Sequence, residues 1–218
     1  MRTEITFWEA NMSFDVWMLY AAAAVGLSLT PGPNGLLSLT NGMRYGLRRT
    51  FFTVIGGCIG FLVLIAASMA GMGALLATSE TAFVFAKWVG AAYLIYLGIK
   101  TWSAPAPQVQ DCHTNSTDEQ TAFRLFGQGF LVAVSNPKGL IFFAAFLPQF
   151  FDPQAYWLLQ FLILGGTFVT VEFIYELTLA GAAQRIAPWL GKHGRWFNRA
   201  AGATFVGIGG VLTTINRN

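Results

Sequence analysis

Two segments with the residues to recognise an ion stand inside long apolar runs: Thr30-Pro31-Gly32-Pro33-Asn34-Gly35-Leu36-Leu37 and Ser135-Asn136-Pro137-Lys138-Gly139-Leu140-Ile141. Proline removes a backbone donor and cuts or kinks a helix. In lipid, the N–H and C=O groups freed by such a cut survive only where protein or a watery cavity covers them. Freed amides at a half-helix N-terminus suit a carboxylate, and freed carbonyls opposite suit an ammonium group or a cation. A zwitterionic amino acid matches both. One proline is often just a packing kink, but two breaks at matched positions favour a site, built from Pro31, Gly32, Pro33, Asn34, Asn136, Pro137 and Lys138.

Lys138 is charged, and two carboxylates join the set. Lys138 stands midway through its run, where a cation costs at least about 2.5–3.5 kcal/mol. It can hold a substrate carboxylate, pair with a glutamate from the fifth run, or snorkel to the interface. Glu172 and Glu176 lie four apart, on one helix face. At 1.5 Å per residue Glu172 falls roughly 6 Å past the midplane and Glu176 roughly 12 Å. Glu172 is the candidate to take up and release a proton, against a static pairing role; Glu176 is a weaker candidate that is also placed to reach headgroup water. Asn34 and Asn136 either orient substrate or cap the half-helices.

The elements that position these groups follow from composition. Charged residues make up 11% of the 218 and hydrophobic ones 55%, against roughly 25% charged in a soluble domain. Six runs approach the ~20 residues of a membrane span: 14–43, 51–77, 82–102, 125–150, 155–181 and 198–215. A net charge of +3 does not signal nucleic acid, because the positive residues sit in short connections rather than on one face. Arg44, Arg48 and Arg49, Lys100 and Arg124, and Arg185, Lys192, Arg195 and Arg199 fall in the first, third and fifth connections, with only Arg2, Lys87 and Arg217 opposite. The positive-inside rule then puts those connections in the cytoplasm and both termini outside. Cys58 and Cys112 show no metal or redox spacing. The first dozen residues do not read as a signal peptide, and Met12 is an alternative start.

Pro-x-Gly-Leu recurs at an offset of about 104, and the same offset carries the second run onto the fifth. Two halves of three helices fit, and an odd number per half makes them an inverted-topology repeat with broken first and fourth helices. The expected fold is therefore all-α and membrane-integral: an N-terminal extension (1–13), a first repeat (14–102), a flexible linker rich in Pro, Ser and Thr (103–124) and a second repeat (125–218). Ala187 to Phe197 suits an amphipathic segment at the cytoplasmic interface. The sixth run is the weakest, being short and glycine-rich, yet is expected to span. Gly56, Gly57 and Gly60 form a small-residue packing surface, and Trp88, Trp102, Trp157 and Trp196 fall near span ends as anchors.

Leu29-Thr30-Pro31-Gly32-Pro33-Asn34, then Gly42, Tyr45-Gly46 and Gly56, then Gly90-Ala91-Ala92-Tyr93-Leu94-Ile95-Tyr96-Leu97-Gly98 and Asn136-Pro137-Lys138, resemble the LysE/RhtB family of amino-acid exporters. The likeness runs from about Asp15 to the last run. It implies export of an amino acid or derivative from the bacterial cytoplasm, driven by the proton gradient across the inner membrane, by alternating access. The family commonly has aspartate where Glu172 stands, and Glu176 has no counterpart in its pattern. No cofactor is implied, and a homo-oligomer is left open. The wider superfamily includes metal exporters and thiol-electron carriers, but neither an acidic or histidine cluster nor a paired membrane cysteine is present. A membrane-embedded enzyme would need a nucleophile, base or metal set that is missing, and His113 and His193 lie in connections. A purely structural subunit has no need to open the helix backbone twice.

Overall fold

The computed structural model describes residues 13–30, 32–78, 98–105, 120–152 and 155–214, with 85, 88, 89, 92, 95 and 96. Pro31, Met12, Cys112, His113, most of the third run and most of the linker lie outside the described residues.

Helix α1 (Phe14–Leu29) starts at Ser13, whose hydroxyl accepts from Val16 N–H, and stops at Thr30, whose N–H bonds back to Gly26 and Leu27. Helix α2 (Pro33–Thr78) opens on a proline, where a missing N–H costs nothing. It folds back on itself at Gly46, with φ +74° and ψ 171°. That conformation is open to glycine and strained for other residues, so the first connection is one residue sharp rather than a loop. The Thr50 hydroxyl holds the bend by donating to the Gly46 carbonyl at 2.9 Å.

Helix α3 (Ala122–Val134) is capped by Thr121, and α4 (Pro137–Phe146) by Asn136, again with proline in its first turn. A single 3-10 turn, Leu147–Gln149, follows. The α3–α4 pair is bent by 53°, so the fourth run is broken at Asn136 as the sequence predicts. Helix α5 is Trp157–Gly181 and α6 is Ala183–Thr214. Here the structure differs from the sequence reading: the amphipathic fifth connection and the sixth run form one continuous helix with Pro188 inside it. The glycines that lower its helix propensity are partly explained by packing, since a side chain at Gly202 would meet the Gly98 carbonyl at 2.6 Å.

Among the described residues, the stretches long and apolar enough to cross a bilayer are α5 and 33–71 within α2, the latter divided by the fold at Gly46, with the bent α3–α4 pair a further one if it is one span.

The breaks divide the packing into two sides. On the side away from Gly46, aromatic rings from α1, α2, α4, the 3-10 turn's C-cap and α5 fill the centre: Tyr20, Phe61, Phe142, Phe143, Phe146, Phe150 and Phe168 are all buried. Phe61 to Phe168 and Phe143 to Phe168 meet edge-on, with centroids 5.2 and 4.8 Å apart, a favoured aromatic geometry. On the Gly46 side, helices touch backbone to backbone. A Cβ at Gly56 would lie 2.0 Å from the Phe126 carbonyl, and one at Gly129 would lie 1.9 Å from that of Thr53. This is the close small-residue packing that drives association where lipid offers no hydrophobic gain.

Candidate functional site

The two breaks, more than a hundred residues apart in sequence, touch. Asn136 Oδ1 accepts from the Lys138 backbone N–H at 3.0 Å, capping α4, and its Nδ2 donates to Asn34 Oδ1 at 3.3 Å. Asn136 is thus both cap and bridge, while Asn34 sits inside the first turn of α2 as its partner. Both are buried.

Lys138 settles on an option absent from the three open at the sequence level. Its Nζ donates to the carbonyls of Leu27 and Thr30, both at 2.7 Å. These are the groups the break strips of their helical partners, at the negative end of the α1 dipole. Gly32 eases the approach, since a Cβ there would stand 3.2 Å from the ammonium. Glu172 interacts electrostatically with Lys138, but its Oε2 accepts its hydrogen bond from the Ser28 hydroxyl.

Glu176 does not reach an interface. It is 1% exposed, accepts from the Ser38 hydroxyl at 2.9 Å through Oε2, and its carboxyl interacts with that of Glu172 one turn earlier. Counting rise along α5 places it nearer the helix end, but α2 covers that stretch, with the vacant position of Gly57 3.7 Å from its carboxyl.

Between these groups lies a cavity of about 10 Å³, close to what one water needs. Ser28, Gly32, Asn34, Asn136, Lys138, Glu172 and Tyr175 border it, along with Phe61 and Phe168 from the aromatic side. Of the predicted residues, Gly32, Asn34, Asn136, Lys138 and Glu172 converge on it, and Pro31 lies outside the described residues. Pro33 is exposed and does not border the cavity, and Pro137 opens α4. Glu176 sits one turn beyond it.

Sequence reading missed Ser28, Ser38 and Tyr175. The signal was available for Ser38: Asn34, Ser38 and Asn41 recur at helical spacing on one face of α2. They form a buried polar seam from the cavity toward Gly46, where Asn41 Nδ2 donates to Thr53 Oγ1 at 3.0 Å and Gln128 Oε1 at 3.2 Å. Among the described residues, no group of three or more His, Cys, Asp or Glu is placed to hold a metal.

The arrangement offers two carbonyls and a carboxylate for a positive group, with first-turn residues of α2 and α4 and the Lys138 ammonium for a negative one. The LysE type translocator family model matches residues 25–215. A homoserine/homoserine lactone efflux protein of Salmonella typhi is 37% identical over 205 residues, covering 93% of this chain and 98% of the relative. The Salmonella typhimurium protein of the same description matches equally. An uncharacterized membrane protein of Vibrio cholerae is 36% identical over the same shares. No solved structure matches the chain.

Proposed function

This chain belongs to the LysE type translocator family, a membrane transporter and not an enzyme, and from that premise we propose that it exports a small amino acid or its derivative in exchange for protons. The observation that carries the proposal is the single cavity where both broken helices, Lys138 and Glu172 meet. Substrates of homoserine and homoserine-lactone type are the first to test, by analogy with the Salmonella relatives. An acid and its lactone share an ammonium group but not a carboxylate. The ammonium is then the common handle, and the Leu27 and Thr30 carbonyls with Glu172 are its seat.

In this reading six spans form two inverted three-helix halves in the bacterial inner membrane, with both termini outside and the Gly46 side facing the cytoplasm. The basic residues of the first, third and fifth connections support that orientation. The halves rock about the cavity to expose it alternately. Glu172 carries the proton, and Glu176 with Ser38 relays it along the polar seam. Proton entry through the carboxyl that faces the ammonium weakens its hold and releases substrate outward.

The test is transport in proteoliposomes with an imposed pH gradient. Glu172→Gln should abolish gradient-driven accumulation of homoserine while leaving the protein folded in detergent. Unchanged accumulation ratios would remove Glu172 from the mechanism.

A further inference from the structure

Lys138 occupies the very seat that the proposed substrate's ammonium would need. A primary ammonium has three donors and no acceptor; two of these three go to Leu27 O and Thr30 O at 2.7 Å, the short end of the range for charged donors. The seat is shaped for this group. Gly32 adds clearance, since a Cβ there would stand 3.2 Å from the ammonium, Thr30 is fixed by its own hydroxyl bond to Gly26 O at 2.9 Å, and the Ser28–Glu172 pair supplies negative charge alongside.

We infer that Lys138 is a displaceable internal cation that competes with the ammonium group of the substrate for the Leu27 and Thr30 carbonyls. The inference rests on the exporter reading for its substrate but not for its geometry. Space enforces the competition: with Lys138 seated, the cavity holds about one water. A free primary ammonium presents the same donors as the lysine tip, so the carbonyls cannot tell them apart, and the two cannot sit together. Loading therefore requires Lys138 to leave. Once displaced, its charge needs a counterion, which an amino acid supplies with its carboxylate and a lactone does not. Lys138 thus sets the balance between zwitterionic and purely cationic substrates, and keeps the seat filled when no substrate is bound.

The sign of one measurement separates this from a simple carboxylate-binding lysine. A ligand whose seat is free only part of the time loses apparent affinity by that fraction, so a seat held by Lys138 in nine of ten molecules implies about a tenfold penalty. Purified protein in detergent, titrated with propylammonium and read by thermal shift, should show Lys138→Met gaining about tenfold in apparent affinity. L-homoserine should gain less or lose, because the variant lacks the counterion. Tetramethylammonium, which has no N–H donor, should not distinguish the proteins.

Lys138→Leu removes the same ammonium, so it too should gain about tenfold for propylammonium and decides the matter if Lys138→Met does not fold. Equal or weaker propylammonium binding in the folded variants overturns the inference. Homoserine transport by the wild type in proteoliposomes is read separately. Gain without any transport would leave the seat standing and the exporter reading failed, and transport without gain the reverse.

Discussion

The two sides of the paired breaks are built on opposite principles. Away from Gly46 the centre is filled by large rings, Tyr20, Phe142, Phe143, Phe146 and Phe150, with the polar Tyr20 hydroxyl satisfied by the Leu164 carbonyl at 3.0 Å. Toward Gly46 the helices are drawn together through Gly42, Gly56 and Gly129, and the buried groups between them are Ser38, Asn41, Thr53 and Glu176. A ring-filled side excludes water and yields only by moving whole side chains. A glycine-packed side with a polar seam accommodates protons and water with small shifts. The difference teaches that, in the proposed mechanism, the closed gate and the proton route occupy separate halves of one bundle, with the cavity at their border.

The sharpest way to break this contrast is to force the glycine side apart. Gly129→Val would put a side chain where the Thr53 carbonyl is 1.9 Å from the Cβ position. Backbone cannot yield as a side chain can, so the cost should exceed the usual ~1–3 kcal/mol of overpacking, and little monodisperse protein should survive extraction. Recovery at wild-type yield and melting temperature would show that the close packing is not required. Phe143→Ala attacks the other side. It should destabilise by about 3–5 kcal/mol, and any protein that remains should leak substrate across liposomes without a gradient; a tight, undiminished barrier would remove the aromatic side as the gate.

Ser38→Ala is the gentlest probe. It strips Glu176 Oε2 of its hydrogen bond, so a loss of about 1–3 kcal/mol is expected. Gradient-driven transport should slow while substrate exchange without a gradient continues. Equal slowing of both would make Ser38 a packing residue and dissolve the distinction between seam and gate.

Much of this was legible in the residues themselves. Pro33 and Pro137 announced where the half-helices begin, and Glu172 and Glu176 announced a shared face, because helix termination and the 3.6-residue period are local properties. The polar face of Asn34, Ser38 and Asn41 was equally local and was overlooked because apolar neighbours on the other faces dominate the run. The partner of Lys138 was not legible: its carbonyl acceptors lie 111 and 108 positions away, and a backbone carbonyl leaves no mark in a residue's identity.

By itself, then, the sequence determined that the chain is helical and membrane-embedded, where its helices break, and which few polar groups lie within the apolar runs. Each of these follows from neighbours a few positions apart. Only the tertiary structure decided that the breaks abut, that Lys138 caps the end of α1 rather than a carboxylate, and that Glu176 is buried instead of solvated. Those outcomes depend on which helix faces meet and how closely glycine lets them approach, and that is fixed by packing between distant segments.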